Sequence, residues 1–428
     1  MAWLKALPLL VFPILLLCGC RKDQDETGPS VSIVSPPGSH TIYVPDTIKV
    51  IVDVRDDNVV RTVRIALNDA NGVPIVPTIV EHIDAPSVTI DRSLIVNSET
   101  IISDAYTIAI QASDGDNTTS AFRTIYIQGT PLRTRALYVV PASGGDIIKI
   151  DSVGVQSVVT SLSPVTAAEV NSHTASLYLA GDLFAPLQII PTDGQHSIGQ
   201  IPNQNAQEIP YFTHVHTDRS DDRTYVSTND GRIRGYKGST SPVFTAEALV
   251  DHRPYATVIA GNRLVAEQVM LGTMLRKLVI YGYGSGVILD QQPIDVVVEE
   301  MFARTPQQIL VFGNRDGNGV IQSRNVNSGG VFEMRVFNDT PIRAVSRINM
   351  NEYALALEDQ VVRWTYTDNS ASPLLSTACS DVAYDEANGI LYAGTQQQIL
   401  VVDPMLGNLV NTITVPVEVG GLLPLYNR

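Results

Sequence analysis

The chain has 428 residues, a formal net charge of −15 and three cysteines. Its composition is 44% hydrophobic and 17% charged, which is enough apolar mass for folded cores and too much for a mostly disordered chain. The acid excess argues against nucleic acid as a partner, because phosphate neutralisation needs clustered Lys and Arg, and three cysteines exclude a disulfide-stapled scaffold or a four-thiolate zinc site.

At about 150 residues per domain, the length suggests two or three domains. Residues 1–20 read MAWLKALPLLVFPILLLCGC. Lys5 marks a short positive region, and residues 6–17 form an apolar stretch suited to a secretory signal and short for a bilayer span. Pro8 and Pro13 also disfavour a regular spanning helix.

The end of this stretch, Leu17-Cys18-Gly19-Cys20, resembles the lipobox of bacterial lipoproteins: an aliphatic residue, two small residues, then the lipid-accepting cysteine. Cys18 stands where that pattern has Ala or Ser. The resemblance implies a signal peptide over 1–19, lipid on Cys20 and the membrane as a partner through that anchor. The following Arg21-Lys22-Asp23-Gln24-Asp25-Glu26 resembles the export signal of surface lipoproteins in some Gram-negative bacteria. It implies an outer-membrane anchor with display at the cell surface, a periplasm-facing position being the alternative. Residues 20–29 are then a lipidated tether. Cys379, in the alternating stretch STACSDVAY, is expected as a small buried core residue.

Residues 30–129 read as short strands with turn punctuation. The expected strands are 31–34, 47–54, 59–67, 75–82, 87–95, 106–112 and 121–127, and about seven in such a length predict a β-sandwich. The run YTIAIQASDGD at 106–116 resembles strand F and its turn in bacterial Ig-like, cadherin-like and fibronectin-like modules. Tyr106 would then be a corner tyrosine, its hydroxyl returned to backbone. In such a topology the loops carrying Asp56, Asp57, Asp114 and Asp116 share one pole, where clustered carboxylates suit calcium; ordinary Asp/Asn turn chemistry is the competing reading.

Residues 132–428 carry an internal repeat, a four-strand a-b-c-d unit recurring about every 40 residues. Copies begin near Thr166 and Phe212, near Ala256, Val296 and Ile342, and at Ser380; the copy at 254–292 is the least regular. Residues 136–162 match strands b, c and d alone, and 416–426 match a lone strand a. Pairing these ends closes a ring and protects edge strands. The expected fold is therefore all-β: an Ig-like β-sandwich followed by a seven-bladed β-propeller, closed by N-terminal strands b-c-d with a C-terminal strand a. The segment LYAGTQQQILVVDPMLGNLVNTITV closely resembles the YVTN-type propeller repeat, with Asp403 and Gly407 at its Asp and Gly positions.

The catalytic patterns G-x-S-x-G and H-E-x-x-H and a phosphate loop are absent from the sequence. Two motifs have metal-like spacing. His214, His216 and Asp218 share one strand face, where structural histidines are the competing reading. Asn314-Arg-Asp316-Gly-Asn318-Gly319 resembles a D-x-D-x-D-G calcium loop, but Asn325 stands where the loop needs Glu, so a plain polar turn competes. Binding is instead expected on the face formed by d–a and b–c loops, with His252, Arg253, Arg276, Arg315 and Asp316 as candidate ligand residues.

These readings lead to a cell-envelope lipoprotein acting as a non-enzymatic binding, adhesion or scaffold module, its propeller face recognising a protein or glycan. A propeller enzyme (lyase, lactonase or glycan hydrolase) is the alternative, and would need His, Arg and acids converging at the channel mouth. A structural subunit of an envelope complex would show a contiguous apolar surface patch. Calcium is the one cofactor the sequence suggests.

Overall fold

A computed structural model describes residues 27–162, 164–192, 199–204, 209–218 and 222–427. The expected signal peptide, Cys20 and most of the tether lie outside the described residues. Two compact units meet in sequence at Thr130 and Pro131.

The first unit holds β1 (Ser30–Ser35), β2 (His40–Tyr43), β3 (Asp46–Asn68), β4 (Ile79–Val96), β5 (Asp104–Ser113) and β6 (Thr118–Gln128). Two pairs of strands expected from the sequence are fused here into the long β3 and β4. The Asp56-Asp57-Asn58 signal marks a register shift between Arg55 and Val60, not a chain reversal. Before the shift β3 pairs with β1, and after it with β5, while β4 follows it on both sides. One ladder is thus β1-β3-β4; the other is β4-β3-β5-β6-β2, its last pair parallel. Polar bulge residues let a strand change ladders without losing its partner. Alternate residues such as Val50, Val52, Val63, Ile65, Ile108, Ile110 and Ile125 point into a single core and are fully buried. β2, too short for a period signal, was not legible in the sequence.

In the second unit, β7 (Thr134–Pro141), β8 (Gly145–Asp151) and β9 (Gln156–Leu162) are followed by β10 (Val165–Asn171), β11 (Ser176–Gly181), β12 (Leu187–Pro191) and β13 (Gly199–Ile201). Then come β14 (Phe212–Thr217), β15 (Thr224–Thr228), β16 (Arg232–Tyr236) and β17 (Phe244–Glu247). Next are β18 (His252–Ala260), β19 (Arg263–Met270), β20 (Arg276–Gly282) and β21 (Ile288–Ile294). After them are β22 (Val297–Thr305), β23 (Gln308–Arg315), β24 (Asn318–Asn325) and β25 (Val331–Phe337). The last full sets are β26 (Ala344–Arg347), β27 (Glu352–Ala356), β28 (Val361–Thr365), β29 (Ser370–Leu375), and β30 (Asp381–Asp385), β31 (Ile390–Thr395), β32 (Gln398–Val402), β33 (Leu409–Thr414). Finally β34 (Val419–Tyr426) returns to pair with β7, Leu422 opposite Val139, and completes the sheet β34-β7-β8-β9.

All these sheets are antiparallel and four-stranded. The copy expected to be least regular, β18–β21, forms a full sheet. The innermost strands touch in succession: β10, β14, β18, β22, β26, β30 and β34, with β34 also touching β10. Each core cluster is shared by two consecutive sheets. Leu310, Phe312 and Ile321 of one sheet pack on Tyr353, Leu355 and Trp364 of the next. A sheet covered on both faces needs apolar residues on both, so β11 is buried along its whole length.

A shared turn explains the repeat's Asp and Gly. Asp403 Oδ1 accepts the Met405 and Leu406 amides at 2.8 and 3.1 Å, and Gly407, at φ +70°, donates to the Asp403 carbonyl. Asp151 accepts the Val153 and Val155 amides, with Gly154 at φ +87°. Asn325 and Gly329 do the same, so the position needs a short acceptor and the glycine a left-handed backbone.

Candidate binding site

The calcium expected at Asp56, Asp57, Asp114 and Asp116 has no assembled ligand set. Among the described residues no three His, Cys, Asp or Glu side chains form a group that could hold a metal ion. The carboxylates are used locally instead. Asp56 Oδ1 accepts the Asn58 and Val59 amides, and Asp114 Oδ1 accepts those of Asp116 and Asn117. These bonds, the Asn117 amide first, hold the Asp114 carboxyl below its usual range. Asp57 accepts from Thr27, and Arg61 donates to the Asp114 carbonyl at 2.9 Å, bringing a cation to this turn.

The Asn314–Gly319 motif is likewise a hairpin. Asp316 and Gly317, at φ +52° and +80°, form the two-residue connection between Arg315 and Asn318. Positive φ at both centres is what a tight hairpin turn requires, and Asp-Gly supplies it. Asn318 Oδ1 accepts the Asp339 amide, and Asn314 brackets Ile342 through its carbonyl and amide.

The expected ligand residues are largely engaged within the fold. His252 opens β18, is 9% exposed and places Nδ1 2.7 Å from the Val250 carbonyl, while its Nε2 is buried without a partner. Arg253 follows it, half-buried. Arg276 opens β20 and meets Glu267 at 2.5 Å. Glu267 is 1% exposed, and burial pushes its carboxyl up to about 7 despite that partner. Arg315 ends β23 and bridges Asp295 at 2.5 Å and Glu333 at 2.7 Å beside a groove of about 460 Å³. Arg324 lines the same groove at 3% exposure, donating to Gln322 Oε1 and the Pro293 carbonyl. Sequence position placed these residues at strand ends, but could not foresee their ion pairs.

The inner strands hold a second polar set, most of which the sequence reading missed. Glu169 on β10 and Asp381 on β30 lie close enough to Glu300 on β22 to raise its affinity for protons. Burial, then these neighbouring acids, pushes Glu300 up to about 8; burial pushes Asp381 up to about 6. His214 and His216 on β14 stack with ring centroids 6.2 Å apart. Burial, with His216 beside it, pushes His214 down to about 3, and His216 is lowered by burial and by Arg347 on β26. The signal for the acids was present: VEEMF and AAEV each place a carboxylate inside an apolar strand a. Cys379 is 2% exposed, with its thiol pushed up by burial to about 11, so it is a core group rather than a nucleophile.

The outer strands contribute an apolar surface. Met405, Leu406, Leu409 and Val410 are 58%, 71%, 55% and 63% exposed on β33 and the turn before it. Val155 and Val158, at β9, are also exposed, and Gln156 of that strand donates to the Thr414 carbonyl of β33 at 2.7 Å.

No family model matches the sequence, and no curated protein matches it. Among solved structures, the RRP9 WD40 repeats are similar with a TM-score of 0.50 and 9% identity, over 68% of this chain and 88% of that one. U3-55K is similar with a TM-score of 0.48 and 11% identity, over 60% of this chain and 84% of that one. The first likeness shows a fold of the WD40 propeller type, reached without Trp-Asp repeat endings, since Trp364 precedes Thr365.

Proposed function

We propose that the chain is a lipid-anchored protein of the outer membrane, displayed at the cell surface, and that it acts by docking a protein partner. In this reading an immunoglobulin-like sandwich precedes a closed seven-bladed propeller, and the propeller is the docking module. The β34–β7 pairing and the succession of inner-strand contacts support seven-bladed closure. The Tyr106 hydroxyl, donating to the Ile102 carbonyl at 3.0 Å, supports the immunoglobulin-like assignment. The anchor rests on the lipobox resemblance at Cys20.

The observation that carries docking is the exposure of Met405, Leu406, Leu409 and Val410 on an outermost strand and the turn before it. Clustered large apolar side chains at a surface are a common sign of a protein interface. An outer strand also presents backbone groups along its free edge. By contrast Arg276 and Arg315 are committed to ion pairs within the fold.

A photo-crosslinking residue at Val410, in intact cells, tests this. A discrete protein adduct that disappears in the Leu406→Lys/Leu409→Lys variant is expected. Equal adducts from a crosslinker at Asp316, or none at Val410, would count against docking at the outer strand. Cys20→Ala is expected to move the protein out of the membrane fraction, and persistence there would refute the anchor.

A further inference from the structure

The first unit presents a different exposed surface, independent of the propeller. On β6, Ile125 and Ile127 are buried, so Tyr126 points to the opposite side, as does Phe122 four residues before it. They are 46% and 68% exposed. On the parallel neighbour β2, Ile42 is buried and Tyr43, opposite Gln128, is 70% exposed. Three aromatic rings therefore stand in a file along one open sheet face. At about 3.3 Å per residue, Phe122 and Tyr126 are about 13 Å apart and the file is about 20 Å long.

The positions around the rings are hydroxyl and amide groups. Thr41 pairs with Tyr126, Thr107 pairs with Thr124, and Gln128 pairs with Tyr43. None of the outward positions on β2, β5 and β6 is acidic, in a chain with a net charge of −15. None of them is Lys or Arg either. The strip along β6 and β2, two strands from the outward Arg64 of β3, matches a partner that carries no charge, offers hydroxyls to Thr and Gln, and presents C–H faces to aromatic rings, whose π faces are negative. The file suits an extended chain rather than a small molecule, which would call for an enclosing pocket. Protein interfaces also favour Tyr and Phe, but set them in close-packed, desolvated apolar pockets, whereas these rings stand singly on an open face among Thr and Gln.

We propose that this face binds a neutral polysaccharide chain, lying along β6 and stacking its sugar rings on Phe122, Tyr126 and Tyr43. A protein partner or a second copy of this chain on the same face is an outcome of the test that overturns it.

The test is affinity electrophoresis of the full chain in native gels containing hydroxyethylcellulose, glucomannan or starch. Retardation by at least one of them is expected, with the apparent affinity about tenfold weaker in Phe122→Ala/Tyr126→Ala, the size of effect that loss of aromatic contacts produces. Both side chains are exposed, so the variant is expected to keep the parent's thermal transition. Leu406→Lys/Leu409→Lys, which disables the propeller's docking strand, is expected to be retarded like the parent. No retardation in any gel, or equal retardation of the Phe122/Tyr126 variant, would overturn the proposal. So would a dimer in solution that the Phe122→Ala/Tyr126→Ala variant dissociates, or a protein adduct from a crosslinker at Phe122. If the aromatic variant keeps full retardation and the Leu406/Leu409 variant loses it, the polysaccharide site lies on the propeller instead, and the proposal again fails.

Discussion

The two units solve the burial of β-strands in opposite ways. The first has one core between two ladders, so its strands alternate and each ladder keeps a solvent face. The second has a separate core between every pair of consecutive sheets, and its middle strands are buried on both faces. A unit with one core can present a broad sheet face, and Phe122 and Tyr126 occupy one. Sheets that pack on neighbours on both sides hide their faces and expose outer strands and turns, which is where Leu406, Leu409 and Val410 lie. Where each unit can meet a partner follows from how it packs.

The most severe way to break this contrast is to remove β34. Without Val419–Tyr426, β7 loses one of its two partners and keeps only β8, and two inter-sheet cores lose Val419, Leu422 and Leu425. The second unit is expected to lose its cooperative transition in calorimetry, while the first keeps its own. A smaller break is Leu355→Ala, which leaves a cavity beside Trp364 and should cost about 2–5 kcal/mol. Trp364 fluorescence in a denaturant titration reads it directly. Ile108→Ala, in the other core, is expected to leave that signal's midpoint unchanged.

Smaller still are the turn and the titrating groups. Asp403→Ala removes the one side-chain oxygen that accepts two turn amides and should cost about 1 kcal/mol, measured by the same titration. For pH, a carboxyl whose folded value is raised binds more protons in the native state, so stability falls as pH rises from the unfolded value to the folded one. Glu300, ordinarily near 4.5 and pushed up to about 8, therefore destabilises progressively between those limits. His214, ordinarily near 6.5 and pushed down to about 3, works in the opposite sense: stability is lost as pH falls below 6.5. Between pH 7, the upper limit for Glu267, and pH 8 the Glu300 contribution dominates the decline. Glu300→Gln is expected to flatten the decline of melting temperature over that interval. An unchanged slope would show that Glu300 is hydrated well enough to titrate near its ordinary value.

Much of the second unit was legible because repetition amplifies weak signals. Asp403 and Gly407 mark a turn whose chemistry recurs at Asp151 and Asn325, so one clear copy located the others. The lone strand a at the C-terminus was also legible, from the missing strand a before β7. In the first unit no repeat corrected the reading, and Asp56-Asp57-Asn58 looked like a loop because the residues of a bulge and of a turn are the same. The site was legible in position but not in partnership. Arg276 and Arg315 were found at the ends of strands, but Glu267 on β19, Asp295 between β21 and β22, and Glu333 on β25 meet them there, and sequence spacing carries no record of such meetings. The carboxylates of Asp56 and Asp114 read as ligands because turn acceptors and calcium ligands are the same oxygens.

Amide hydrogen exchange across the joined ends tests the architecture most directly. If β34 and β7 form the inner pair of one sheet, the amides of Leu137–Val140 and Gly421–Leu425 that bond across it will be as slow as those joining β10 to β11. If Val419–Tyr426 exchanges as fast as an unpaired tail while the other inner strands stay protected, the ring is open and the account fails.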